Sequence, residues 1–238
     1  QTDRGIAISE AIRQFVIRFG SAPPERLVTI HYGLDPSAVP APPDARAALR
    51  ESLGLPGDCP VVGSVCRLTG QKGLLYGLRG FAQIAPRFPQ AHYIIAGDGP
   101  LRPRLETEAH RLGLAGRVHF LGWRDDARAI MAGLDVLLAP SLWEGFGLVF
   151  LEAMALCVPV IGACVSAIPE IVIDGETGWL VPPRDPDAIG AALHEAFADP
   201  PAARMRGANG RRRLEERFSP EMMVERTLAL YRSLETSA

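Results

Sequence analysis

The chain has 238 residues, of which 47% are hydrophobic and 22% charged, a composition typical of a folded protein with one large or two modest domains. Twenty-five basic and 27 acidic side chains give a formal net charge of −2, which excludes a strongly basic nucleic-acid-binding protein. We therefore expect no nucleic-acid partner, and any site for an anion has to be local.

The sequence carries no sign of secretion or of a transmembrane segment. Residues 1–8 lack the apolar core of a signal peptide. The apolar stretch 148–168 contains Glu152 and Pro159, so a buried helix followed by a buried strand explains it better than a membrane span. The four cysteines form no C-x-x-C pair, which is typical of thiols in a reducing compartment. We expect a cytoplasmic protein and leave open peripheral association of the full-length protein with a membrane.

Residues 1–43 are predicted to be the remnant of another domain, followed by a linker. Apolar spacing predicts a helix over 9–19 and a strand over 27–31, and four prolines within 36–43 predict an extended connection. One helix and one strand cannot form a core, and the sequence does not begin with Met, so we expect the rest of that amino-terminal domain to be missing. A strand without its sheet could pair between two copies, which makes a dimer an expectation to test.

Residues 44–238 are predicted to form one α/β domain. Its strands are short, continuously apolar runs, as burial on both faces of a sheet requires. Six of them, separated by helix-length segments, predict a doubly wound, parallel, Rossmann-like sheet followed by carboxyl-terminal helices. In chain order, the predicted strands are 61–65, 93–96, 118–121, 136–139, 158–161 and 179–181, and the predicted helices are 74–85, 101–112, 125–131, 147–156, 168–172, 187–198, 204–218 and 221–234.

The first predicted strand ends in a turn that carries two cations, Arg67 and Lys72, together with Gly70 and Gly73. Positive charge at a helix N-terminus suits a phosphate, because the free backbone N–H groups and the helix dipole also attract an anion. The turn does not match the Walker A pattern. Taken alone, two such cations are more often solvated loop residues than a binding site.

The second predicted strand ends in the turn Gly97-Asp98-Gly99. This G-x-G suggests a dinucleotide site, but Arg102 occupies the position of the third glycine in that pattern, so the match is weak. The turn is better interpreted as one that lets a flat or bulky group approach the edge of the sheet.

Two carboxylates, Glu144 and Glu152, flank the junction between the fourth predicted strand and its helix. They could serve as an acid/base pair or accept hydrogen bonds from the hydroxyls of a sugar or ribose. Glu152 lies among apolar residues, where a charge is costly unless it is paired or functional. Gly145 and Gly147 let the backbone approach a ligand. All three loops follow strands of one predicted sheet, so we expect them to line one crevice.

In combination these segments resemble the carboxyl-terminal, donor-binding domain of retaining glycosyltransferases of family 4, which have the two-domain GT-B fold. Residues 30–35 also resemble that family's exit from its amino-terminal domain, so the resemblance covers nearly the whole chain. The matching segments are Arg67 with Lys72-Gly73, residues 97–100, 120–122 and 140–148, the E-x7-E element formed by Glu144 and Glu152 with residues 153–155 after it, and residues 175–181.

The resemblance implies a nucleotide-diphosphate sugar, UDP- or GDP-linked, as the donor substrate, with no metal and no other cofactor. It implies that Arg67 and Lys72 hold the diphosphate and stabilise its departure, aided by the backbone of Gly147 and Leu148. Glu144 would bind hydroxyls of the transferred sugar. The resemblance thus assigns the catalytic roles to Arg67, Lys72 and Glu144.

The resemblance also implies the rest of the donor site. Glu152 would bind the ribose diol, while the turn at Gly97 and Gly99, with the backbone near Leu121, would border the base. The remaining donor-binding positions in the loop are Gly145 and Phe146.

By the same resemblance, the full-length protein would be a retaining, hexosyl-type transferase of glycan biosynthesis. Its acceptor, a glycan or a lipid-linked sugar, would bind through the amino-terminal domain, which in this family also supplies a glycine-rich loop and a histidine at the catalytic site. We therefore expect the 238-residue chain to bind donor but to turn over slowly or not at all. The alternatives are a GT-B-like epimerase or phosphorylase, a dinucleotide-dependent oxidoreductase, and a non-catalytic nucleotide-binding module.

Overall fold

The computed structural model describes residues 3–235, and its first unit is a short βαβ motif. Strand β1 (Gly5–Ala7) pairs in parallel with β2 (Leu27–Thr29), and helix α1 (Glu10–Arg18) connects them. The segment contains two strands, so the prediction of one strand is wrong. Strand β1 was not predicted because its three residues are too few to show an apolar pattern. Residues 1–2 and 236–238, at the outer limits of the two predicted domains, lie outside this description.

The predicted six-stranded parallel sheet is confirmed. Its strands lie side by side in the order β5-β4-β3-β6-β7-β8, so the strand order reverses between β3 and β6. At such a point the loops after the two strands diverge and leave a crevice at the carboxyl edge of the sheet. The strands are β3 (Val61–Val65), β4 (His92–Ala96), β5 (Val118–Gly122), β6 (Val136–Ala139), β7 (Val160–Ala163) and β8 (Gly178–Val181).

Helices cover both faces of this sheet, and each face has its own apolar core. Alternate strand residues point to opposite faces, so Val62 and Leu138 join one core while Val61 and Leu137 join the other. On the first face α3 packs on α8, and on the second α6 packs on α9 and α2 on α5. The helices are α2 (Ala45–Ser52), α3 (Leu74–Ile84), α4 (Arg102–Arg111), α5 (Ala127–Ala132), α6 (Leu148–Ala155), α7 (Ile168–Ile171), α8 (Pro186–Ala198), α9 (Pro200–Arg217) and α10 (Pro220–Glu235).

Several elements differ from the prediction in their existence or in their bounds, and three examples are α2, α9 and β7. Helix α2 was not predicted, and α9 begins at Pro200 instead of residue 204, because Asp199 caps it and proline is tolerated in a first helical turn. Strand β7 begins two residues later than predicted, after Pro159, which has no N–H for a ladder hydrogen bond. Within residues 3–235 no helix combines the length and the apolar character that crossing a membrane requires.

Candidate functional site

Three loops meet at the carboxyl edge of the sheet, and we name them after the strands they follow: the β3 loop (66–73), the β4 loop (97–101) and the β6 loop (140–147). The N–H of Leu68 donates to the carbonyl of Asp98 at 2.9 Å, which joins the β3 and β4 loops. The N–H of Leu142 donates to the carbonyl of Gln71 at 2.7 Å, and the Gln71 side chain donates to the carbonyl of Trp143 at 3.0 Å. The predicted convergence of the three loops is therefore present.

Two glycines allow this close approach. Gly73 has a φ of +65°, and a Cβ at this position would lie 2.0 Å from the carbonyl oxygen of Pro140. Gly97 has a φ of +130°, and a Cβ there would lie 1.9 Å from the carbonyl oxygen of Cys66. A side chain at either position would push the loops apart, so these glycines allow the short distances between the loops.

Lys72 and Glu144 form an ion pair across the β3 and β6 loops. The Lys72 Nζ lies 2.5 Å from Oε1 of Glu144, and the hydroxyl of Ser141 donates to the same oxygen at 2.8 Å. Glu144 is 7% exposed and the Lys72 side chain 20%. A carboxylate with so little access to water needs such partners, so Lys72 is not the solvated loop cation that a charged loop usually contains.

The thiol of Cys66 lies in the same β3 loop. Although the residue keeps part of its surface exposed, burial raises the pKa of its thiol to about 12. This sulfur is therefore neutral near pH 7 and is no candidate nucleophile.

Arg67 is exposed, and no hydrogen bond or ion pair to its side chain is present within residues 3–235. It lines a cavity of about 380 Å³ at the ends of β3 and β4, together with Gly97 and Trp123. A guanidinium with all of its donors available suits a carboxylate or phosphate ligand.

The start of α6 supplies further donors beside Lys72. Gly147 is the N-cap residue and offers no side-chain cap, and Leu148 begins the helix with half of its surface exposed. In the described part of the chain, the N–H groups of these two residues have no acceptor. Free N–H groups at a helix N-terminus together with a cation are the ordinary components of an anion site.

The Phe146 side chain and the Gly145 carbonyl contact other parts of the chain than Lys72 and the start of α6. The Phe146 side chain is 2% exposed and packs among the rings of His31, Tyr32 and Phe218. The carbonyl of Gly145 accepts a hydrogen bond from Ser9. These two predicted donor-binding residues therefore shape the loop, and any contact with a ligand would come from their backbone.

Glu152 has partners of its own on the outer side of α6. Its Oε1 lies 3.3 Å from the guanidinium of Arg128, which also donates to the carbonyl of Ala38. Glu144 and Glu152 share no partner among the described residues, so the geometry gives no support to an acid/base pair. Glu152 keeps about a quarter of its side chain exposed, which leaves it able to accept hydrogen bonds.

The residues predicted to border the base fall into two neighbouring places. Gly97 lines the cavity beside Arg67, and Gly99 packs on the main chain of Leu68 in the β3 loop. Leu121 instead lines a cavity of about 310 Å³ between α2 and α5. Arg124 borders both cavities, so they are adjacent.

Sequence reasoning missed two residues of this edge. Ser141 is 2% exposed and holds Glu144, and its spacing of three residues from that glutamate, the S-x-x-E pattern, is a signal that could have revealed the contact. Trp123 is 78% exposed on the wall of the cavity near Arg67, where a solvent-facing indole is available for stacking. Among residues 3–235 no cluster of three or more histidine, cysteine or acidic side chains could hold a metal ion.

The fold and these loops define an α/β protein with a crevice at the reversal point of a parallel sheet, where cations and free backbone N–H groups are available to an anion. The family model for glycosyl transferases group 1 matches residues 45–213, and the chain belongs to this family.

Two relatives and one solved structure illustrate what the chain is similar to. Alpha-maltose-1-phosphate synthase from Mycolicibacterium smegmatis is 33% identical over 249 residues, covering 98% of this chain and 63% of that protein. The GDP-mannose-dependent alpha-(1-6)-phosphatidylinositol monomannoside mannosyltransferase of the same organism is 37% identical over 205 residues, covering 82% and 53%. The crystal structure of Anabaena HepE in complex with UDP and glucose has a TM-score of 0.90 at 28% identity, covering 97% and 63%. The chain thus spans between 53% and 63% of these relatives.

Proposed function

We propose that this chain binds the nucleotide-diphosphate sugar donor of a retaining glycosyltransferase of family 4. The observation that carries the proposal is the ion pair between Lys72 and Glu144, which lies beside the free N–H groups of Gly147 and Leu148. This arrangement combines donors for a diphosphate with an acceptor for a sugar hydroxyl. Membership of the glycosyl transferase family favours sugar transfer over the epimerase, phosphorylase and oxidoreductase alternatives.

The diphosphate would lie between Arg67, Lys72 and the start of α6. As the bond to the sugar breaks, negative charge accumulates on the departing diphosphate, and fixed positive charges and N–H donors stabilise it. Because Lys72 is already paired with Glu144, the bound phosphate and the carboxylate would share its three donors. Glu144 would in turn orient the sugar through its hydroxyls.

The base and ribose would occupy the far side of the β3 loop. The cavity beside Gly97 and Arg67 is adjacent to the β4 turn that contains Gly99. Leu121 would border the base from the next strand, and Glu152 would accept hydrogen bonds from the ribose diol after releasing part of its contact with Arg128.

The acceptor in this proposal is a glycan or lipid-linked sugar, and the compartment is the cytoplasm. Domain limits at residues 43 and 44, a dimer, and slow turnover by the 238-residue chain stay predictions.

Calorimetric titration of the chain with UDP, GDP and ADP tests donor binding directly. One relative is GDP-mannose-dependent and one similar structure holds UDP, so we expect binding of UDP or GDP. Binding of none of the three would contradict the proposal.

The contribution of Lys72 is tested by Lys72→Ala. Charge-assisted hydrogen bonds contribute about 1.5 to 3 kcal/mol each, so we expect the variant to weaken nucleoside-diphosphate binding by well over about tenfold. The matched control is Arg79→Ala, which removes a cation of α3 that is paired with Glu108 at 2.8 Å. An unchanged dissociation constant for Lys72→Ala, measured on a variant that still melts cooperatively, would show that the phosphate assignment is wrong.

A further inference from the structure

A buried hydroxyl connects α1 to the β6 loop. Ser9 is 0% exposed, and its Oγ donates to the carbonyl oxygen of Gly145 at 2.7 Å. The same Oγ accepts the N–H of Ile12 at 3.1 Å, so Ser9 is also the N-cap of α1. One side chain thus begins a helix and fixes the main chain of a loop that is 136 residues away in sequence.

Glu170 fixes the start of α1 on the other side. Its Oε1 accepts the N–H of Ala11 at 2.8 Å, and its Oε2 accepts the N–H of Glu10 at 2.9 Å. Oε2 also lies 2.8 Å from Nε2 of His31. A carboxylate at a helix N-terminus satisfies N–H groups that the helix itself leaves without acceptors, so Glu170 sets the position of Ser9 relative to the main sheet.

Aromatic packing holds the next residue of the loop. The His31 ring stacks on Phe146 with centroids 5.6 Å apart and an interplanar angle of 24°. Because Glu170 contacts His31 directly, the same carboxylate supports both the hydrogen bond to Gly145 and the packing around Phe146.

Gly145 and Phe146 lie between the two parts of the site. Glu144, just before them, is paired with Lys72, and Gly147, just after them, carries a free N–H. A shift of the Gly145 carbonyl would therefore move the Glu144 carboxylate, which would accept hydrogen bonds from the sugar, relative to the N–H groups that would donate to the phosphate. Misplacement by about 1 Å is enough to cost a large part of a site's effect.

We propose that Ser9 and Glu170 are positioning residues of the donor site, which act on the bound diphosphate sugar through the main chain of Gly145. The proposal rests on the donor binding proposed above. It makes α1, which precedes the main domain in sequence, a part of the support for the donor loop.

The test is a titration series with the nucleoside diphosphate that the wild-type chain binds and with the matching monophosphate. Ser9→Gly keeps an acceptable N-cap but removes the donor to Gly145, whereas Ser9→Thr keeps both hydrogen bonds. We expect Ser9→Gly and Glu170→Gln to weaken diphosphate binding by about fivefold or more, while the monophosphate constant stays within about twofold. Ser9→Thr should bind as the wild type does. Thr107→Ala, which removes a hydroxyl bonded to a carbonyl on α4, is the control.

The outcomes separate this proposal from the one it rests on. Wild-type chain that binds no nucleotide contradicts donor binding itself, and the positioning roles fall with it. Wild-type binding combined with an unchanged diphosphate constant in Ser9→Gly and Glu170→Gln overturns the positioning roles alone. Equal weakening of monophosphate and diphosphate in those variants would also overturn them, because it would indicate general destabilisation. Thermal melting of each variant identifies that case.

Discussion

Gly97 lies against the carbonyl oxygen of Cys66, and this contact is one of those that determine how closely the β3 and β4 loops approach. Any Cβ at this position meets main-chain atoms, which cannot rotate away as a side chain would. The backbone conformation is one that residues with a Cβ rarely adopt. At the scale of one residue, the close approach of the β3 and β4 loops therefore requires a glycine at position 97.

Gly97→Ala is expected to lower the free energy of unfolding by roughly 3 kcal/mol, because backbone strain and overpacking each cost about 1 to 3 kcal/mol. Gly116→Ala is the matched control: Gly116 also has a positive φ, +77°, but no atom lies within 4 Å of its Cβ position. It should cost only about 1 kcal/mol. Urea unfolding of both variants measures the difference, and equal losses would show that the contact with Cys66 is unimportant.

At the scale of an element, a buried guanidinium holds α2 to the amino-terminal ends of β3 and β6. Arg50 is 1% exposed and donates to the carbonyls of Cys59, Arg46 and Gly133 and to Oδ2 of Asp135. Asp135 also accepts the N–H of Val61 at 2.8 Å. The helix therefore connects the starts of β3 and β6 as well as packing on α5.

Arg50→Ala should cost about 3 to 5 kcal/mol of unfolding free energy, because it removes a buried donor from three carbonyl groups and one of the partners of the Asp135 carboxylate. Arg46 is the control, since it also pairs with Asp135 but keeps 48% of its side chain exposed. Its replacement by alanine should cost less than about 1 kcal/mol. Denaturant unfolding decides between these values, and a small loss for Arg50→Ala would mean that α2 is held by its apolar contacts alone.

The same residue explains why α2 could not be predicted. A buried arginine looks like solvent-facing surface in a hydrophobicity pattern, and the eight residues of α2 contain only one leucine. The six strands of the main sheet were predictable because burial on both faces leaves continuous apolar runs. Arg67, Lys72 and Glu144 could be proposed from the sequence because each is a charged residue in a loop that follows a predicted strand. Ser9 and Glu170 could not be proposed in this way, because their contacts join segments distant in sequence.

At the scale of the whole molecule, two histidines on neighbouring strands make stability depend on pH. Nδ1 of His92 lies 3.0 Å from Nε2 of His119. Burial lowers the pKa of both rings below the ordinary histidine value, and the neighbouring His119 and Arg117 lower that of His92 further. The folded chain therefore binds protons less readily than the unfolded chain. As far as it depends on these two histidines, the free energy of unfolding has its full value above about pH 6.5 and decreases as the pH falls through that value.

We expect the free energy of unfolding to decrease between about pH 7.5 and about pH 5.5, and His119→Gln to reduce that decrease, since the paired ring is then absent. His110→Gln, which removes an exposed histidine of α4, should leave the decrease unchanged. Chemical unfolding at a series of pH values provides the measurement. A decrease of the same size in His119→Gln and in the wild type would exclude the pair as its source.

Lys72, which forms the ion pair with Glu144, is the single lysine among the 238 residues. The other 24 side chains in the total of lysine and arginine are arginines. Growth with nitrogen-15 lysine would therefore place one isotopic label on the side chains of the whole molecule, at the contact with Glu144. The nuclear magnetic resonance signal of that ammonium group would report the occupancy of the crevice without any assignment of the remaining spectrum.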